Sequence, residues 1–209
     1  MQPCRMSAVA LLKAYRSRAL SPVEAMQGVL TRVAVFEPHI HATYLLEPER
    51  ALKDARASEE RWRRGEPAGP LDGVPTTIKD NIATKGEPVP LGTAASELKP
   101  APVDAPPVAR LREAGAVLFA KTTMPDYGML SSGLSSFHTL TRNPWDSTRN
   151  PGGSSAGAGA GAAAGGGASP VPCGGGAARC GKGRAGAAGA GAGGAPSTLG
   201  ADIMPRSTR

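Results

Sequence analysis

Aromatic residues are scarce in this 209-residue chain, at 4% of the total, so a core has to be built mainly from aliphatic side chains. Cysteine is scarce too. Cys4, Cys173 and Cys180 are an odd set without framework spacing, which argues against a disulfide scaffold and for a reducing, cytoplasmic setting. Cys173 and Cys180 have no histidine nearby and lack zinc-ligand spacing, so no metal is expected. No run approaches the ~18 apolar residues of a membrane span. Lys13, Tyr15 and Arg16 interrupt the first apolar stretch too early for a signal peptide. His39, His41 and His138 are scattered and read as surface or packed side chains.

Acidic residues nearly vanish after Pro151, where Asp202 faces Arg179, Lys182, Arg184, Arg206 and Arg209. That segment therefore carries +4 of the formal +7, and the remaining +3 is spread without a basic cluster. Nucleic-acid binding needs such a cluster on a folded face, so it is not expected. Branched apolar residues are also missing late in the chain: 33 of the 46 residues from Ala156 to Ala201 are Gly or Ala. A stretch of that kind buries too little apolar surface to offset the entropy of ordering it. Residues 1–157 are expected to carry the fold, and 158–209 to form a disordered low-complexity tail.

What is present alternates between helix and strand. Val9, Leu11, Leu12 and Tyr15 fall at helical spacing within 7–17. Ser21, Pro22 and Glu24 make a capping box with a proline start, and Val23, Met26, Leu30 and Val33 form the expected buried stripe. A charge-dense segment from Glu47 to Gly65 reads as a mostly solvated surface helix. A turn at Asp72-Gly73 leads into a strand over Val74–Ile78. A helix in "DAPPVARLREAG" precedes an apolar strand at Ala116–Ala120. The pattern predicts an α/β layered sheet.

Two local features could carry chemistry. Lys79 ends the apolar run "VPTTI" and is followed by Asp80 and Asn81. On position alone it is a strand-end lysine reaching solvent; in a desolvated site its pKa would fall and it could act as a base. Gly152-Gly153-Ser154-Ser155 is on its own a flexible connector, yet its small residues also let a hydroxyl point into a site. A neutral lysine, a relaying serine and a nucleophilic serine can carry out acyl transfer without histidine.

"LDGVPTTIKDN", "GAVLFAKTTMPDYGML" and "TRNPWDSTRNPGGSSAGA", in this order and at these separations, resemble the amidase signature family. The opening "SAVALLKAYRSRALSPVEAM" is similar to that family's N-terminal segment, so the resemblance runs over about residues 7–165. It implies an incomplete amidase-signature fold, a mixed sheet with flanking helices whose Ala116–Ala120 strand keeps an apolar face and an unpaired edge in so short a chain. It also implies hydrolysis of a carboxamide C–N bond through an acyl-enzyme, with no cofactor. The substrate would be a small-molecule amide. By motif position Lys79 is the base and Ser154 the bridging serine, which in the family follows a cis peptide. Asp80, Asn81 and Ser155 have supporting places, and Met129, Ser131, Ser132 and Gly133 belong to the substrate-facing loop. An alternative member is the A subunit of a glutamyl-tRNA(Gln) amidotransferase, whose B and C subunits would then be partners. A third reading is a non-catalytic fragment.

The family's nucleophile is missing. Its serine, in a G-T-D-x-G-G-S-x-R setting, would fall about 24 residues after Ser154, where Ala178 stands. Ala178-Arg179-Cys180-Gly181 can be encoded GCT-CGA-TGC-GGN, and the frame starting on the last base of the first codon reads Ser-Met-Arg. The expectation is a coding shift near 157–175 and a chain that is inactive as it stands. "GAARCGKG" at 176–183 mimics a phosphate loop but has Gly183 where a hydroxyl should follow the lysine, so no nucleotide site is expected.

Overall fold

A computed structural model describes residues 2–165. Helix α1 (Ala8–Arg16) starts under Ser7, whose Oγ accepts from the Ala10 amide. Helix α2 (Pro22–Ile40) starts as its sequence predicts: Ser21 Oγ accepts from Glu24 N, and Glu24 Oε2 accepts from Ser21 N at 2.8 Å. Strand β1 (Thr43–Leu46) follows, then helix α3 (Pro48–Arg64), which ends where Gly65 takes a left-handed φ of +75°. Strand β2 (Pro75–Lys79), helix α4 (Pro106–Glu113), strand β3 (Val117–Thr122) and helix α5 (Ala156–Ala163) are the remaining α-helices and strands among the described residues.

The sheet order is β1-β3-β2, with β3 antiparallel to β1 and parallel to β2. This corrects the expected unpaired edge at Ala116–Ala120: the strand is central, and all six of its residues are buried. Both of its faces are covered. Val117 and Phe119 pack with Met26, Val29 and Val33 of α2 and Ala51 and Ala55 of α3, while Leu118 packs with Ile78 and Val108 of α4. Burial on both sides explains why β3 reads as a continuous apolar run without alternation. Val29 joins the α2 stripe as fully buried, and Val23 and Leu30 are only partly covered.

Helix α3 is less solvated than its charge suggests, because Ala51, Ala55 and Ser58 line a close contact with the core. Its Arg61 forms a bidentate pair with the fully buried Asp72 (Nη2 to Oδ1 2.6 Å, Nε to Oδ2 3.0 Å), and Trp62 Nε1 donates to the Asp72 carbonyl. The turn that launches β2 is thereby fixed from the side.

Residues 80–105 contain no helix or strand beyond isolated bridges, and side chains from the sheet and from the stretch itself hold them. Lys121 Nζ donates to the carbonyl of Ile82 at 3.0 Å, Tyr44 Oη donates to that of Pro88 at 2.8 Å, and Asp104 Oδ1 accepts from the Lys85 amide at 2.7 Å.

Helix α5 moves the boundary placed at residue 157. It runs on to Ala163, and Ala160 and Ala164 pack against Ile40 and Ala42. Small residues suffice here because the helix lies very close to the sheet. The Gly157 amide donates to the Thr123 carbonyl at 3.1 Å, and a Cβ on Gly157 would stand 2.1 Å from the Ala42 carbonyl oxygen. Among the described residues no helix is long and apolar enough to cross a membrane.

Candidate active site

Lys79 is the last residue of β2 and pairs with Thr122 across the parallel ladder. Side chains alternate along a strand, so Lys79 and Asp80 leave in opposite directions. Lys79 Nζ donates to Ser154 Oγ at 2.9 Å and to Ser155 Oγ at 3.1 Å, across 75 and 76 residues of chain. Burial pushes its pKa down, and the negative charge of Asp80 pulls it partly back. The serine pair reaches this place through the start of α5, and the Gly153–Ser154 peptide is cis.

Asp80 is fully buried and its two oxygens are occupied. Oδ1 accepts from Leu91 N at 3.1 Å, and Oδ2 accepts from Gly92 N at 2.7 Å. His138 Nε2 lies 2.8 Å from the same Oδ2, while His138 Nδ1 is buried without a partner among the described residues. The carboxylate is thus held away from Lys79, and no ion pair joins the two among the described residues. The sequence places His138 among merely packed side chains; it is packed, between the Tyr44 and Phe137 rings, but it also closes this network. Fifty-eight residues separate it from Asp80, and no local signal pairs them.

The 129–133 loop lies against the serine loop. A Cβ on Gly153 would stand 2.5 Å from the Ser132 carbonyl oxygen and 2.7 Å from that of Leu130, so only glycine permits this approach. The backbone at Gly128 runs beside Ser154, whose Oγ would be 3.6 Å from a Cβ there. Met129 is 81% exposed, Ser131 is exposed, Ser132 is half-buried and Gly133 is buried. Asp126 and Ser136 close this loop through a short hydroxyl–carboxylate contact and a 2.8 Å bond from the Ser136 amide. Asn81, by contrast, is exposed, and among the described residues no hydrogen bond ties it to the lysine or the serines.

Ala178, Cys173, Cys180 and the 176–183 glycine loop lie outside the described residues. No cluster of three His, Cys, Asp or Glu side chains suited to a metal occurs among the described ones. The lysine and serines can pass a proton, since each hydroxyl both donates and accepts.

Comparison with known proteins places the chain in a family. The family profile described as Amidase matches residues 24–175. The A subunit of the glutamyl-tRNA(Gln) amidotransferase of Chloroflexus aggregans is 43% identical over 136 residues, covering 65% of this chain and 28% of that protein. A peptide amidase from Stenotrophomonas maltophilia superposes with a TM-score of 0.69 at 32% identity, covering 75% of this chain and 33% of that one. A bacterial aryl acylamidase of the amidase signature family superposes with a TM-score of 0.68 at 30% identity, covering 75% and 33%. The chain thus spans less than a third of the length of the curated relative and about a third of each structure. With the motifs, the fold and these matches in agreement, the chain belongs to the amidase signature family.

Proposed function

We propose that residues 2–165 hold the base half of an amide-cleaving site, in which Lys79 is the base and Ser154 the relay. The observation that carries this reading is the 2.9 Å contact from Lys79 Nζ to Ser154 Oγ in a place where burial favours a neutral amine. In the complete reaction Lys79 draws a proton through Ser154 from a nucleophilic hydroxyl as that oxygen attacks the amide carbon. It then returns the proton to the departing amine, and water releases the acid from the acyl-enzyme. Ser155 supports the lysine, and the 129–133 loop faces the substrate, a small amide in the cytoplasm.

The nucleophile belongs near position 178, where alanine cannot attack a carbonyl, so the 209-residue chain has no amidase turnover. A coding shift accounts for that alanine, and the packing of Ala160 and Ala164 favours placing it after α5. Two measurements test this. Hydrolysis of a simple aryl or aliphatic amide should be equal for this chain and its Lys79→Ala variant; turnover above that control refutes the inactivity. Resequencing the coding DNA beyond Ser154 should restore G-G-S-x-R near residue 178. In the restored enzyme Lys79→Ala should cost about 10²–10⁴-fold in kcat.

The names of the curated relatives favour a second reading, the A subunit of a glutamyl-tRNA(Gln) amidotransferase. Genes for B and C subunits beside this one, with glutaminase activity in the restored protein, would select it over a free-standing amidase.

A further inference from the structure

Ser155 occupies the N-cap position of α5 but does not cap it. A serine there normally gives its oxygen to an amide of the first turn. Here its side chain makes no cap bond, and the Gly157 amide goes to the Thr123 carbonyl instead. The hydroxyl is left to Lys79, with its Oγ 3.1 Å from Nζ. Ser155 is exposed, whereas Ser154 is half-buried beside the backbone of Gly128. An open oxygen, a base within hydrogen-bond reach and the positive end of a helix dipole therefore meet at one residue.

We infer that Ser155 and Lys79 form a two-residue acyl-transfer site that cleaves small activated carboxylic esters. This goes beyond amide hydrolysis, since it uses a different nucleophile, but it rests on the reading of Lys79 as the base. Ser155 Oγ bonds to the ester carbon while its proton passes to neutral Lys79 Nζ. The carbon–oxygen bond to the aryl group then breaks, and a phenolate leaves with the electron pair. Water attacks the acyl-serine, the carboxylic acid departs, and the lysine proton returns to Ser155 or to the phenolate. A phenolate leaves without help from a general acid, whereas an amine needs one placed on its nitrogen. The pair therefore turns over aryl esters and not amides. The open position of Ser155 suits short acyl groups with little discrimination between them.

The test uses the 209-residue chain with two probes, an alkyl fluorophosphonate and 4-nitrophenyl acetate. The fluorophosphonate should place one phosphonyl group on Ser155, located by peptide mass spectrometry, with fluoride as the leaving group. Ser155→Ala should abolish both labelling and esterase turnover. Lys79→Ala should slow labelling at least 100-fold, in the range of a lost general base. Lys79→Met, which keeps the apolar stem, is measured alongside so that a folding defect is separated from loss of the base. Labelling on Ser154, or a rate unchanged in Ser155→Ala, overturns the inference. Labelling of Ser155 that ignores both Lys79 variants overturns the pair and the base reading together. An unlabelled Ser155, with Lys79 reacting with acetic anhydride at lower pH than the other lysines, overturns the pair alone.

Discussion

Two lysines lie one register step apart on neighbouring strands, and their surroundings set them to different tasks. Ile78 faces Lys121 across the ladder, and Lys79 faces Thr122. Burial lowers the pKa of both, opposed by Asp80 for Lys79 and by Glu87 and Asp80 for Lys121. Neither makes an ion pair among the described residues. The difference lies in their partners. Lys121 Nζ meets the carbonyls of Ile82 and Pro88, which only accept and so have no proton to exchange with it. Lys79 Nζ meets two hydroxyls, which can turn round and donate. The carbonyl site suits a strut, and the hydroxyl site suits the passage of a proton.

The largest effect expected from this contrast is on stability. Lys121→Ala should cost about 2–4 kcal/mol, from lost packing and two orphaned carbonyls, read by urea denaturation. A cost below about 1 kcal/mol would erase the distinction between the two sites. His138→Ala should cost about 1–3 kcal/mol, since it strips a partner from a buried carboxylate. The same substitution frees Asp80 to act on Lys79, so the Lys79 titration followed by NMR should move upward.

The pH dependence is smaller and has two signs. A lysine whose folded pKa is lowered binds fewer protons folded than unfolded. Stability therefore rises with pH from the folded pKa up to about 10.4, the ordinary lysine value. Tyr15 and Tyr44 act in the opposite sense. Burial raises both, helped by the charge of Asp72 for Tyr15 and of Asp80 and Glu87 for Tyr44. Stability should thus fall once the pH passes about 10, where unfolded tyrosine ionises. Tyr44→Phe should flatten that fall in pH-dependent denaturation. The smallest effect belongs to Lys79→Ala, expected within about 0.5 kcal/mol because its head sits at a half-open edge. A larger loss would make it a strut as well.

Much of this is legible locally. The Ser21–Glu24 box and Gly65 mark the helix ends where the structure has them, because capping is settled within four residues. Strand β1 is not legible. "TYLL" is four residues without alternation, and it is a strand only because the edge of β3 is there to pair with it. The Lys79–Ser154 contact follows from motif order. The Asp80–His138 contact has no such guide, since it depends on how the 135–138 loop crosses the 91–92 turn. Asn81 shows the reverse error: adjacency to Lys79 suggests a role, and the turn after β2 carries it into solvent.

The irregular stretch between β2 and α4 has a consequence for proteolysis. A protease must draw several residues of backbone into its cleft, so exposure of one side chain is not enough. Lys85 is exposed, yet its amide is held by Asp104, and the next amide, of Gly86, is held by the Ala101 carbonyl. The strut at Lys121 and the hydroxyl of Tyr44 fasten the same stretch from beneath. Trypsin should therefore spare the Lys85–Gly86 bond while the fold is intact and cut it once that fastening is lost, which makes a single nick a reporter of the whole segment's anchorage.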